Sequence, residues 1–114
     1  MIRLTALLHR KPGFTHAEFL EHWHDKHGPL IRSLGSSELV IRYEQHPAVW
    51  PSEGSGHPEP TYDGVAVQWF QSMSDFITFA MKDDRPVVAA DEARFLDTTR
   101  IDWIITEEPR VVMG

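Results

Sequence analysis

Residues 15–34, THAEFLEHWHDKHGPLIRSL, set His16, His22, His24 and His27 around Trp23 in one short span. An imidazole titrates near neutral pH and can serve there as a general acid or base. His27 is the leading catalytic candidate. It recurs with Phe19, Trp23, Leu30 and Leu34 at spacings of three and four, so it faces the core with them. Burial disfavours the charged ring, which suits a base. A second reading makes His27 a core histidine bonded to a backbone carbonyl freed where Gly28-Pro29 breaks the helix. The two readings are compatible. His24 and His27 stand on one helical face, but His22 lies off it and no acidic residue completes a ligand set. Zinc wants three or four converging ligands, so no metal is assigned, and His22 and His24 are expected in solvent or at an interface.

Further candidates come from strands and a loop. On one strand Gln68 shares a face with Ala66 and Phe70, a polar group among apolar ones. That pattern suits either a hydrogen bond to a ligand in a greasy pocket or a cross-strand or interface bond. Tyr43 and Trp69 are strand residues able to line a cavity, and Arg3 and His9 on the first strand could project into the same space. His46 ends the second strand and Tyr62 ends a long loop. Together they could polarise a carbonyl and move a proton, or they could anchor the loop through ring burial and the phenol hydroxyl. Trp23, Tyr43, Gln68, Tyr62, His46 and His9 are thus the expected substrate-contacting set around His27. Asp91-Glu92 with Arg94 reads as a solvated helix face. Gly54-Ser55-Gly56 lacks the lysine and the strand-to-helix context of a phosphate loop. No flavin or nicotinamide motif and no Ser-His-Asp order is present, and no cofactor is assigned.

The elements that must carry these groups are legible in outline. Residues 2–9 alternate, with Ile2, Leu4, Ala6 and Leu8 on one side, which is strand periodicity. Lys11-Pro12-Gly13 turns the chain. Thr15 with Glu18 forms a capping box for a first helix, which Gly28-Pro29 should distort and Gly35 should stop. Leu39 to His46 reads as a second strand. Pro47 to Tyr62 has no periodicity, and a loop of that length is often a lid or binding loop. Val65 to Phe70 is a third strand. Ser72 or Ser74 caps a second helix, Val87 to Phe95 supplies a further helical piece, and Arg100 to Thr106 is the last strand. The order β-α-β-β-α-β predicts an α+β, ferredoxin-like protomer: a four-stranded antiparallel sheet with its helices on one face. Its 114 residues fit a single domain, 1–114.

Two helices cover one face of such a sheet. Leu7, Val67, Trp69 and Ile104 place large apolar groups on the other, and an exposed apolar face of that kind marks an interface or ligand site. A homodimer with two sheets facing each other is the simplest closure. The chain contains no cysteine, so disulfides, thiolate catalysis and cysteine-ligated metals are excluded. A net charge of -6 without a basic block argues against nucleic acid and membrane surfaces. The apolar run at the start is too short for a signal peptide and ends at His9-Arg10-Lys11-Pro12, and no segment reaches a transmembrane length. A cytoplasmic globular protein is expected.

His9-Arg10-Lys11-Pro12-Gly13, Phe19 with Trp23, His27-Gly28-Pro29-Leu30, Asp63-Gly64-Val65-Ala66, Trp69-Phe70, Asp91-Glu92-Ala93 and Phe95 occur in that order along nearly the whole chain. In this combination the sequence resembles the EthD family of the dimeric α+β barrel superfamily. The resemblance implies a two-chain barrel and a cavity between sheet and helices or in the barrel lumen. It also implies a choice of functions. One is a small cofactor-independent enzyme of dehydratase, isomerase or oxygenase type, acting on a hydrophobic carbonyl or aromatic metabolite. The other is a non-catalytic accessory or ligand-carrying protein of an oxidative catabolic pathway, as in ether degradation beside a cytochrome P450. Fold alone does not choose between them.

Overall fold

The computed structural model describes Met1–Gly114. Its elements are β1 (Ile2–Leu8), α1 (His16–His22), a π-helical turn (Trp23–His27), α2 (Gly28–Ser33), a 3-10 turn (Gly35–Leu39), β2 (Arg42–Pro47), β3 (Gly64–Phe70), α3 (Met73–Ala80), α4 (Arg85–Phe95) and β4 (Asp102–Thr106). The four strands form one sheet in the order β2-β3-β1-β4, with every neighbouring pair antiparallel. This is the ferredoxin-like α+β fold expected from the element order. No helix is long and apolar enough to cross a membrane.

Local chemistry sets the helix that matters most. Thr15 caps α1 as predicted: its hydroxyl accepts from the Glu18 amide, and the Glu18 carboxylate accepts from the Thr15 amide. Two orphan donors are satisfied, a device worth about 1 kcal/mol. The helix then widens. The Gly28 amide bonds the Trp23 carbonyl, five residues back, and Pro29 has no N–H with which to continue the α pattern. After this turn the buried stripe runs Phe19, Trp23, His27 and Ile31. The expected Leu30 is replaced by Ile31, because the extra residue in the turn rotates everything beyond it. The helical run ends at Ser33, with Leu34 extended, and Gly35 opens a 3-10 turn rather than a strand connection. The second strand therefore starts at Arg42, later than the expected Leu39.

Leu8, Phe19, Trp23, Phe95 and Leu96 form the core between sheet and helices. Phe19 lies 5.0 Å from Trp23 and 5.7 Å from Phe95 between ring centroids. Gly64 permits this packing. A Cβ there would come within 2.5 Å of the Trp23 ring, so only glycine lets the indole lie directly on β3. The opposite sheet face carries Thr5, Leu7, Val65, Val67, Trp69 and Ile104, aligned by register, and no helix of the chain covers it. Ile104 is 60% exposed.

The long loop is pinned away from that core. Asp63, 1% exposed, accepts from the Arg10 amide at 2.9 Å, the Arg10 guanidinium at 3.0 Å and His16 Nδ1 at 2.8 Å. Burial works against the Asp63 charge, but these bonds outweigh it and hold the carboxyl below the usual aspartate range. Trp50 stacks on His16 with centroids 3.7 Å apart, and Glu59 pairs with Arg10 at 3.7 Å. The segment 48–62 contributes nothing to the cavity described next, so it is not the lid that its length suggested.

Candidate functional site

A cavity of about 430 Å³ lies between the sheet and α2, α3 and α4, within the usual size for a small-molecule site. Leu4, Ala6, Ala66, Val88, Leu96 and Ile101 give it a mainly apolar wall. Its polar groups are few: His27, Arg85 and Glu92 from the helices, Tyr43 and Gln68 from the sheet, and Thr98 from the connection to β4.

His27 is 7% exposed and its Nδ1 stands 2.7 Å from Asp91 Oδ2. Asp91 Oδ1 receives His22 Nε2 at 3.0 Å and the Arg94 guanidinium at 3.2 Å. Burial disfavours the Asp91 charge, yet the bonds from His27, His22 and Arg94 keep the carboxyl below its ordinary value. Asp91 is therefore a carboxylate, and a carboxylate accepts only. His27 must then carry its proton on Nδ1 and present the lone pair of Nε2. That nitrogen makes no bond within the protein and is absent from the buried unpaired polar atoms, which are Arg3 Nε, Trp23 Nε1 and Asp84 Oδ1, so it opens onto the cavity. Burial is the largest influence on His27 and lowers its pKa below 6.5; the bond and charge of Asp91 oppose this without cancelling it. The ring is neutral at physiological pH, in the tautomer a general base requires.

The sheet wall supplies donors. Tyr43 pairs across the strands with Gln68. The Tyr43 oxygen accepts from Gln45 Nε2 at 3.0 Å, and that same nitrogen donates to the Trp23 carbonyl at 2.8 Å. Gln45 is held in turn by His24 Nδ1, 2.6 Å from its Oε1. With its lone pair engaged, the Tyr43 hydroxyl has its own proton left for a ligand. Burial pushes the phenol pKa up and keeps that proton on. The Gln68 amide makes no side-chain bond within the protein and lines the cavity. On the helix wall, burial raises the Glu92 carboxyl above its ordinary value, which favours the protonated form that can donate.

Residues 11–99 match the family model of the EthD domain, more than three-quarters of the chain. The chain belongs to the EthD family. Solved structures agree on the fold of this EthD protein. An EthD family protein of Bacillus halodurans is 21% identical, with 96% of this chain and 99% of that one covered and a TM-score of 0.70. An EthD-like protein of Ralstonia eutropha is also 21% identical, over 93% of this chain and 89% of that one, with a TM-score of 0.67. A dimeric ferredoxin-like protein of Thermobifida fusca is 16% identical over 92% and 88%, with a TM-score of 0.64. No curated protein matches the chain.

Within this EthD chain, His27, Trp23, Tyr43 and Gln68 meet at one cavity. The other sequence candidates lie elsewhere. His9 Nδ1–H donates to the Arg10 carbonyl at 2.9 Å, beyond the end of β1. His46 is exposed and pairs with Glu44 at 2.8 Å on the uncovered sheet face. Tyr62 donates to Asp102 at 2.6 Å, which raises its own pKa. Arg3 likewise points to the uncovered face, with its guanidinium 5.2 Å from the Trp69 ring. The expectation of solvated His22 and of a solvated Asp91-Glu92 face is corrected: Asp91 is 5% exposed and bonds two imidazoles, while Glu92 lines the cavity. One sequence signal could have found them. Val88, Asp91 and Phe95 are spaced by three and four, so an acid sits on the apolar stripe of α4.

Proposed function

We propose that this EthD protein is a cofactor-independent proton-transfer enzyme acting on a hydrophobic carbonyl or aromatic metabolite. The observation that carries the reading is the His27–Asp91 pair, with Nδ1 held at 2.7 Å and Nε2 left open to an apolar cavity. In the proposed step, Nε2 takes a proton from carbon next to a substrate carbonyl. The C–H electron pair moves into the carbonyl, giving an enolate whose oxygen is met by the Tyr43 hydroxyl and the Gln68 amide. Preorganised donors in a dry site stabilise such charge strongly. The proton then returns from the His27 imidazolium, or from Glu92, to a different atom for isomerisation or to a leaving hydroxyl for dehydration. Asp91 stabilises the imidazolium formed on the way.

The working unit of this reading is a cytoplasmic homodimer. The uncovered face with Leu7, Val65, Val67, Trp69 and Ile104 supports it, as does the description of the Thermobifida fusca relative as dimeric. A single-chain mass by analytical ultracentrifugation at micromolar concentration would remove the dimer.

The test of the activity is deuterium exchange into β-tetralone, a bicyclic ketone with acidic C–H bonds, followed by NMR in deuterium oxide. The wild type is expected to accelerate exchange, and His27→Gln to lower the rate by about a hundredfold or more, the usual worth of a positioned base. A wild type that binds the ketone without exchanging it would favour a ligand-carrying protein instead.

A further inference from the structure

Arg85 is the one permanently charged cation on the cavity wall. It opens α4, two helical turns before Glu92, so both side chains lie on one stripe facing the space. The arginine ion pairs of the molecule belong to Arg10, Arg42 and Arg94; Arg85 has none. Its guanidinium instead rests over the Phe79 ring, 5.0 Å from the centroid. That contact orients the fork and offsets part of its desolvation, but it satisfies none of the five N–H donors. No Arg85 nitrogen is among the buried unpaired polar atoms, so these donors stay accessible and free for an acceptor that the protein itself does not supply.

None of the acidic groups nearby forms an ion pair with it: Asp84, next to it in sequence, feels its charge but accepts from the Ser36 amide at 2.9 Å. Asp91 is spent on His22, His27 and Arg94 and does not line the cavity. Glu92 does line it but makes no ion pair, and burial weights it toward the neutral acid. His27 is neutral for the same reason. What remains is an apolar chamber whose one permanent cation makes no ion pair and no side-chain hydrogen bond, at the end where α4 begins, with the Tyr43 and Gln68 hydrogen-bond groups on the sheet wall.

We infer that the natural ligand carries an oxyanion, a carboxylate or its equivalent, on a hydrophobic ring-bearing body, and that Arg85 is the residue that selects for it. A planar fork matches a carboxylate with two parallel bonds, which neither a neutral carbonyl nor an amide can do. This assignment rests on the proton-transfer reading of the same cavity and narrows its substrate class to acidic molecules. Arg85 fixes the anionic end, and the reacting carbon is then presented to His27.

The experiment compares naphthoate with naphthamide, equal in shape and different in charge at neutral pH, by isothermal titration calorimetry. Wild type is expected to prefer naphthoate by about tenfold or more, the worth of a charge-assisted bond. Arg85→Met should abolish the preference while changing naphthamide affinity by no more than about twofold. Arg85→Lys should restore part of it. His27→Gln should keep the full preference, since it removes the base and not the anion contact. Equal affinity of the wild type for both probes would overturn the inference, needs no variant, and leaves the tetralone test of the base untouched. Arg85→Met weakening both probes by the same factor would also overturn it, by making Arg85 a wall residue only. Binding of neither probe would overturn this inference together with the reading of the cavity as a hydrophobic ligand site.

Discussion

Asp91→Asn is the substitution that separates a working dyad from a structural hydrogen bond. The side chain keeps its shape but holds one acceptor oxygen in place of two. Oδ1 serves two donors, His22 and Arg94, whereas Oδ2 serves His27 alone. The amide oxygen should therefore stay with His22 and Arg94, turning its NH2 toward His27. His27 can accept from that group only by placing its lone pair on Nδ1, which puts the proton on Nε2, inside the cavity. The base is then lost without the imidazole moving. Two buried charge-assisted bonds weaken as well, each worth about 1.5–3 kcal/mol, while the Arg94 contact is exposed and adds little. A net loss of roughly 2–4 kcal/mol corresponds to a fall in melting temperature of about 10 °C or more for a domain of this size. Heteronuclear NMR of the imidazole nitrogens reads the tautomer, thermal denaturation reads the stability, and tetralone exchange reads the base. Exchange should fall to the His27→Gln level. A variant that keeps the Nδ1–H tautomer and wild-type exchange would refute the reasoning, because Asp91 would then not be setting the state of the ring.

His27 also predicts an acid limb. Its folded pKa lies below 6.5, so the unfolded chain takes up the proton first. The stability it contributes is fully present above 6.5 and is lost as pH falls through its folded value. Melting temperatures recorded from neutral to acid pH should therefore decline in wild type and decline less in His27→Gln. Glu92 has the opposite sign: its raised folded pKa gives stability that is present below 4.5 and lost as pH rises through the folded value. Glu92→Gln should raise the melting temperature at neutral pH, and the gain should vanish in acid; a constant gain at every pH would contradict the assignment. Gly64→Ala drives a methyl into the Trp23 ring and should cost about 1–3 kcal/mol by overpacking, measured by urea denaturation; an unperturbed midpoint would show that the indole has room to move.

Alternation makes β1 and β3 readable in the sequence, and the capping box of Thr15 and Glu18 marks the start of α1. Alternation also sets Gln68 on one face with Ala66 and Phe70, and the register of the sheet lays Gln68 and Ala66 beside Leu4 and Ala6 on the helix side. Periodicity failed where its premise failed. A 3.6-residue repeat points to Leu30, but the π turn adds a residue and Ile31 takes the core position. His46 and Tyr62 stand at element ends, which on sequence alone resemble a pocket mouth, and His9 belongs to a strand whose alternation lets it project toward a cavity. The register sends His46 to the outer face, and the Asp102 and Arg10 contacts draw Tyr62 and His9 away. Asp91 and Glu92 are hidden from a sequence reading because a charged run is usually solvated. What decides their burial is the packing of α4 over the π turn, a contact far apart in sequence.

That turn connects the two walls of the site. In a regular α-helix, residues five apart diverge by roughly 140° around the axis and could not share one carboxylate. His22 and His27 are five apart, and both donate to Asp91. A turn closed from i to i+5 brings the second ring back over the first. It also leaves the Trp23 carbonyl accepting from both the Gly28 amide and Gln45, and Gln45 is the group that occupies the Tyr43 oxygen. One local departure from α geometry thus orients the base on the helix side and the hydroxyl donor on the sheet side. Pro29, which cannot donate the next helical bond, provides a sequence-level reason for the departure. The proline is therefore better understood as part of the machinery that sets the two polar groups across the cavity than as a helix defect that the fold tolerates.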